Sequence, residues 1–278
     1  GNSADYIQGG KSSYNMTMLN AGLLYKINEL NQVWTTYSQG VSLADPSKFY
    51  GYGNYKFNSA TNNWDLSSSV NVKDSPLSGV KTGQFELGYR FRTNNGFKGQ
   101  ISGFISNSDK NIALKRDGLN LWVEVVDQKL RNMGVETEVS YTNGGFYVGA
   151  NTLLIKSEVE KNGDWQKQDV STSGPSKFTA YAGYGFDNWN FRFQTLQSFK
   201  YTDGLENVID SYNTSDLMIA YKLPFGKINL GVQNIFNTDY QTIWSAKSQV
   251  LYSAYKVPEL FYYAGRGRTF NLSFTYNF

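Results

Sequence analysis

TFNLSFTYNF, residues 269–278, alternates without a break: Phe270, Leu272, Phe274, Tyr276 and Phe278 take one parity, and Thr269, Asn271, Ser273, Thr275 and Asn277 take the other. Successive side chains of a strand point to opposite faces, so this segment reads as a strand with one apolar and one polar face. Bulky apolar residues on the outside of a polar strand suit a bilayer better than water. The pattern is that of a transmembrane β-barrel strand, apolar toward lipid and polar toward the lumen.

The same test, carried toward the N-terminus, finds strand after strand. Ile228, Leu230 and Val232 face out, as do Leu217, Ile219, Tyr221 and Leu223, with Lys227, Asn229 and Asp216 inward. Trp189, Phe191 and Phe193 face out against Arg192; Phe178, Ala180, Ala182, Tyr184 and Phe186 form the next outer face. Phe146, Val148, Ala150 and Leu154 match Val135, Val139 and Tyr141, whose inward neighbours are Glu136 and Glu138. Phe97, Ile101 and Ile105 match Phe85, Leu87, Tyr89 and Phe91, with Glu86 and Arg90 inward. Val33, Thr35 and Tyr37 match Leu19, Ala21, Leu23, Tyr25 and Ile27. The count is about eleven strands, each near the ~9–11 residues that a tilted strand needs to cross a bilayer.

Composition agrees. Mean hydropathy is −0.47 and no long apolar run exists, which excludes a helical membrane protein. The 278 residues hold 21 Tyr, 18 Phe, 6 Trp and 27 Gly but only 5 Pro, as a large stranded chain should. Neither Cys nor His occurs. Their absence removes disulfides, thiolate metal sites, the commonest general base and the commonest transition-metal ligand, so no catalytic or metal-ligating set is expected. An outer-membrane hydrolase would need a His for its chemistry, and the chain is read as a non-enzyme. A net charge of +3 is too slight to suggest nucleic acid.

Connections alternate between short and long. Short turns fall near residues 28–30, 93–96, 142–145, 187–188 and 224–226; long loops fall near 42–81, 108–120, 158–176, 202–210 and 238–264. In outer-membrane barrels the short turns are periplasmic and the long loops extracellular, so the last strand descends and Phe278 ends in the periplasm. A soluble β-sandwich would account for the aromatics but not for this regular alternation. The first recognisable strand also descends, which gives an odd count and an extracellular start. A single-chain barrel has an even count. The expectation is therefore a C-terminal portion, residues 1–278 spanning the second half of a barrel domain, with plug and N-terminal strands outside this sequence.

Specific segments resemble the TonB-dependent outer-membrane receptors for ferric siderophores. GVQNIFNTDYQTIW (231–244) is similar to their penultimate strand and loop entry, and YAGRGRTFNLSFTYNF (263–278) to their closing strand. DSPLSGVKTGQFELGYR (74–90), NGDWQKQDV (162–170), PSKFTAY (175–181) and LYSAYKVPELFYYAGRGRTF (251–270) resemble the subgroup that takes up hydroxamate-citrate siderophores such as aerobactin. The resemblance implies a barrel of ~22 strands with a plugged lumen. It also implies import of a ferric siderophore bound at the extracellular loops, with energy from the TonB complex coupled through an N-terminal plug. No TonB box is seen in this sequence. Iron would arrive already chelated, so no protein cofactor or metal ligand is implied.

An anionic chelate calls for cations beside aromatic walls at the outer mouth. The loops offer Tyr50, Tyr52, Lys115, Arg116, Trp122, Trp244, Tyr252, Tyr255, Tyr262 and Tyr263, and inward-phased Trp34 is a candidate for the pocket floor or for packing on a plug. The competing reading is that these aromatics only pack loop against loop. Arg90, Arg92, Glu136, Glu138 and Arg192 are inward near the short turns, where a plug would bury them. Arg266 and Arg268 share the outward phase at the outer rim and suit lipopolysaccharide phosphates. A passive porin has the same alternation; its constriction would be charged, whereas these loops are dominated by Tyr and Trp.

Overall fold

Alternation of apolar and polar residues dictates a sheet that is solvated differently on its two faces, and the computed structural model shows one. It describes residues 15–43, 54–68, 79–117 and 120–276. Eleven strands follow one another in chain order, each antiparallel to the next: β1 (Asn20–Lys26), β2 (Asn31–Ser42), β3 (Val80–Arg92), β4 (Phe97–Ser108), β5 (Leu130–Asn143), β6 (Phe146–Lys161), β7 (Lys177–Phe186), β8 (Trp189–Ser198), β9 (Tyr212–Leu223), β10 (Gly226–Gln233) and β11 (Thr269–Tyr276). The short strand Asp164–Lys167 adds to β6 beyond this path. β1 and β11 are its two free edges among the described residues.

Directly opposed residues of an antiparallel pair share a face, so register tests the outward assignment at every junction. Tyr25 opposes Val33, Val33 opposes Tyr89, and Tyr89 opposes Ile101. Phe97 opposes Tyr141, Tyr141 opposes Val148, and Phe146 opposes Tyr184. Tyr184 opposes Phe191, Phe191 opposes Ile219, Ile219 opposes Leu230, and Leu230 opposes Leu272. All junctions keep the apolar set on one face, and a slip of one residue anywhere would have reversed it. That face is exposed: Leu23, Leu87, Leu154, Phe270 and Leu272 are each half or more accessible.

The short turns match their expected places, and Gly96 shows why glycine sits in one of them. It adopts φ +97°, and a Cβ there would run into the Thr142 carbonyl. Beside these turns the outward aromatics touch each other: Phe97 and Tyr141 lie 4.4 Å apart, Trp189 and Tyr221 4.6 Å, and Phe225 and Tyr276 6.2 Å between ring centres. Such a belt suits the interface between lipid tails and headgroups.

The long connections are less plain than their sequence suggests. Asn54–Asn58 pairs with Asn63–Ser68, Asn111–Asp117 with Asn120–Val126, and Tyr201–Thr202 with Val208–Ile209, each a small hairpin. The last loop contains a nine-residue helix, α1 (Ile243–Leu251), followed by two 3-10 turns, Ser253–Tyr255 and Pro258–Phe261. No helix among the described residues is long and apolar enough to cross a membrane. The strands run from 7 to 16 residues rather than a uniform nine to eleven, because β6 climbs past the sheet into its hairpin. The last strand is described to Tyr276; Asn277 and Phe278 lie outside the described residues.

Candidate functional site

A one-layer sheet has almost no interior, and the buried apolar side chains collect at its long-loop end instead. Val170, Ile209 and Ala246 are essentially inaccessible and come from three different loops; Tyr201, Ile243 and Val250 pack against them. Tyr201 sends its hydroxyl to the Gln168 carbonyl at 2.5 Å, tying two of these loops together, and burial pushes its pKa up. The loops therefore form one cap.

α1 is stitched to the returning chain through its own serines. Thr242 caps the helix, its hydroxyl accepting from the Ser245 amide at 3.1 Å. Ser245 is fully buried; its Oγ donates to the Phe261 carbonyl at 2.9 Å and accepts from the Tyr263 amide at 2.7 Å. Ser248 donates to the Ser245 carbonyl at 2.9 Å, and Gln241 reaches Ser245 and Gln249 at 2.9 and 2.8 Å. These bonds fix the backbone of residues 261–263 against the helix. Lys247 rises from α1 half-buried, and desolvation draws its pKa down.

This scaffold holds an aromatic cluster. The Tyr252 and Phe261 rings stack at 4.9 Å and 20°, with Tyr255 against both at 6.4 and 5.9 Å. Trp244, Tyr255, Tyr262 and Tyr263 remain exposed. Five of the expected loop residues thus lie in one connection, and the structure brings Tyr252 and Tyr255 together around Phe261. Lys115 and Trp122 occupy opposed register positions of one loop hairpin, with Arg116 opposite Leu121. Tyr50 and Tyr52 lie outside the described residues.

Trp34 stands elsewhere. It sits near the short-turn end of β2, with the Arg90 guanidinium 5.6 Å from its ring centre. Arg90 also donates to Gln32 at 2.8 Å. Arg90, Arg92 and Glu138, joined by Glu29, Lys98 and Ser140, line a recess of about 460 Å3 on the inward face at that end. Arg192 is on a separate stretch of wall, stacked 4.3 Å over Tyr181. Glu136 lies one pleat repeat farther from the turn, opposite Ser102. Among the described residues no group of three or more His, Cys, Asp or Glu is placed to hold a metal.

Sequence reading missed two features. Phe261, read from the sequence only as one more aromatic of the last loop, anchors the tyrosine cluster, and the unforeseen α1 organises it; Thr242 followed by Ile243, Ala246 and Val250 at helical spacing was the available signal. Tyr147 and Tyr181 cover Gly183 and Gly149, their cross-strand partners, on the inward wall. No local signal marks that pairing.

Residues 1–235 match the family described as TonB dependent receptor-like, beta-barrel. The ferric aerobactin receptor of Klebsiella pneumoniae is 43% identical over 98% of this chain, which covers 37% of that relative. The rhizobactin receptor of Rhizobium meliloti (strain 1021) is 36% identical over 98% of the chain and 36% of its own length. Among solved structures, copper transporter OprC superposes with TM-score 0.71 at 14% identity, covering 93% of this chain and 39% of that one. The unliganded ferric citrate transporter FecA gives 0.64 at 16%, covering 95% and 38%. At such identities the structures speak for the fold alone, and the chain spans little more than a third of the curated relatives it matches. This chain belongs to the TonB-dependent receptors, within their β-barrel.

Proposed function

We propose that the chain supplies barrel wall and ligand-gathering loops to an outer-membrane receptor that imports a ferric siderophore of the hydroxamate-citrate type by TonB-coupled transport. The observation that carries this reading is identity of 36–43% to aerobactin and rhizobactin receptors over 98% of the chain, loops included. Structural neighbours at 14–16% share the strands.

The chemistry of the cap is consistent with such a cargo. A ferric citrate-hydroxamate complex carries its own iron ligands and presents carboxylates, so the receptor needs cations and flat apolar surfaces rather than metal ligands. Lys247, Lys256, Lys115 and Arg116 lie in the loops that bear the tyrosine cluster and the Asn111–Val126 hairpin. The inward recess is lined by the charged side chains of Arg90, Arg92 and Glu138 and suits a plug domain, through which TonB would act.

The test is direct titration of the intact receptor with a panel of iron-loaded siderophores. Tight, saturable binding of the carboxylate-bearing hydroxamate member is expected, with metal-free siderophore and catecholates binding far more weakly. Unselective passage of small polar solutes through the reconstituted protein, with no saturable binding, would support a porin instead.

A further inference from the structure

The outward face of β3 to β6 carries a groove that the loop cap does not use. Leu87, Gly103, Val135 and Leu154 form one row across these strands; Phe85, Ile105, Met133 and Lys156 form the next row toward the loops. The row beyond is Gly83, Asn107, Arg131 and Glu158. The apolar band therefore ends at Lys156. Ten residues separate Tyr141, in the aromatic belt, from Arg131. At a rise of ~3.3 Å per residue and a tilt of ~40° that is about 25 Å, the height of the apolar band of an outer-membrane barrel.

Gly103 leaves a gap in this band. A Cβ there would meet nothing nearer than the Gly134 carbonyl at 3.9 Å, whereas Gly99, two pleat repeats lower, is covered by the Phe91 ring. The gap opens into a groove of about 530 Å3 walled by Phe85, Ile105, Met133, Val135 and Leu154, with Lys156 at its loop-side end. Lys156 gives one of its donors to Glu158 at 2.6 Å and keeps 59% of its side chain accessible. Arg131, held by Glu158 at 2.6 Å and stacked 4.1 Å over Trp165, braces Glu158 from the other side.

An apolar slot closed by an accessible ammonium, at the height where lipid tails meet headgroups, complements an acyl chain joined to a phosphate. We propose that this groove holds an acyl chain of lipid A, with a lipid A phosphate on Lys156. The assignment rests on the reading above that the loop end faces outward, into the leaflet that lipopolysaccharide occupies.

The experiment counts lipid A retained by the intact receptor after detergent exchange, using native mass spectrometry and assay of hydroxylated fatty acids. Gly103→Leu fills the groove with a side chain suited to the lipid face, and Lys156→Gln removes the charge. Each variant should retain at least about fivefold less lipid A than wild type. Added dephosphorylated lipid A and phosphatidylglycerol should each displace it poorly. Equal retention by a Gly103→Leu protein with normal heat-modifiability, or equal displacement by either competitor, overturns the proposal. Siderophore titration of the same variants should be unchanged, which separates failure of the groove from failure of the receptor reading.

Discussion

Trp34 lies flat across Gly88, its register partner on the neighbouring strand, so that any side chain at Gly88 would enter the indole ring. The Arg90 guanidinium lies over that ring, 5.6 Å from its centre. The wall is thus built in layers, glycine beneath, aromatic over it, cation above, and the same order recurs where Tyr181 covers Gly149 beneath Arg192. Cross-strand aromatics over glycine restore packing where the bare backbone would be exposed.

Gly88→Ala in the intact receptor should therefore lower resistance to urea unfolding by about 1–3 kcal/mol, the scale of overpacking a filled site. Gly231→Ala is the control. Its Cβ would meet only the Asn271 Cβ at 3.9 Å. Equal unfolding midpoints for the two variants would show that Trp34 moves aside without cost.

The lipid-facing register makes a second, sharper expectation. Leu272 opposes Leu230 on the apolar face, and the adjacent Asn271 opposes Gly231 on the polar one. Leu272→Lys should destabilise insertion by about 2–4 kcal/mol, whereas Asn271→Lys should cost much less. Heat-modifiability on gels and folding titrations into bilayers both read the difference. Similar losses for the two would remove the assignment of opposite faces, and a larger loss for Asn271→Lys would reverse it.

The strands were legible because a two-residue period is local: Phe270, Leu272 and Phe274 state their face without reference to any other strand, and pairing with Val232, Leu230 and Ile228 then follows. The layered wall was not legible, because Trp34 and Gly88 are 54 positions apart and only register unites them. Phe261 illustrates the same limit in the cap. Its partner Tyr252 is nine positions away, across two tight turns whose return is fixed by the buried Ser245 of α1 rather than by any periodic pattern. Candidate binding residues were therefore found as a composition of the loops, not as an arrangement.

Acid should loosen the hairpin above β5 and β6. Lys156 and Arg131 hold the Glu158 carboxyl below its ordinary range, against the opposing effect of burial. A lowered carboxyl pKa contributes stability above the ordinary value of about 4.3 and loses it as pH falls through the folded value. Hydrogen exchange of residues 156–168, corrected for intrinsic rates, should be flat from neutral pH to about 5 and rise below about 4. Glu158→Gln should abolish that dependence. Protection that persists unchanged at pH 3 in the wild type would remove the ion pair as its source.

Ligand recognition tests which loops matter. Lys115 and Arg116 lie on a hairpin separate from the cap that carries Tyr252, Tyr255 and Phe261. A carboxylate-bearing chelate held between a cation and an aromatic wall loses its charge-assisted bonds when both cations go. The Lys115→Ala, Arg116→Ala double variant should then bind ferric aerobactin more weakly by about 1–3 kcal/mol at moderate salt, with the effect shrinking as salt rises. Phe261→Ala removes the ring on which both tyrosines rest, and should weaken charged and uncharged ferric siderophores alike, since it disorders a surface rather than a charge. A double variant with unchanged affinity beside a weakened Phe261→Ala protein would place recognition in the helix-bearing loop alone. The reverse result would make the tyrosine cluster packing between loops and leave the cations as the determinant.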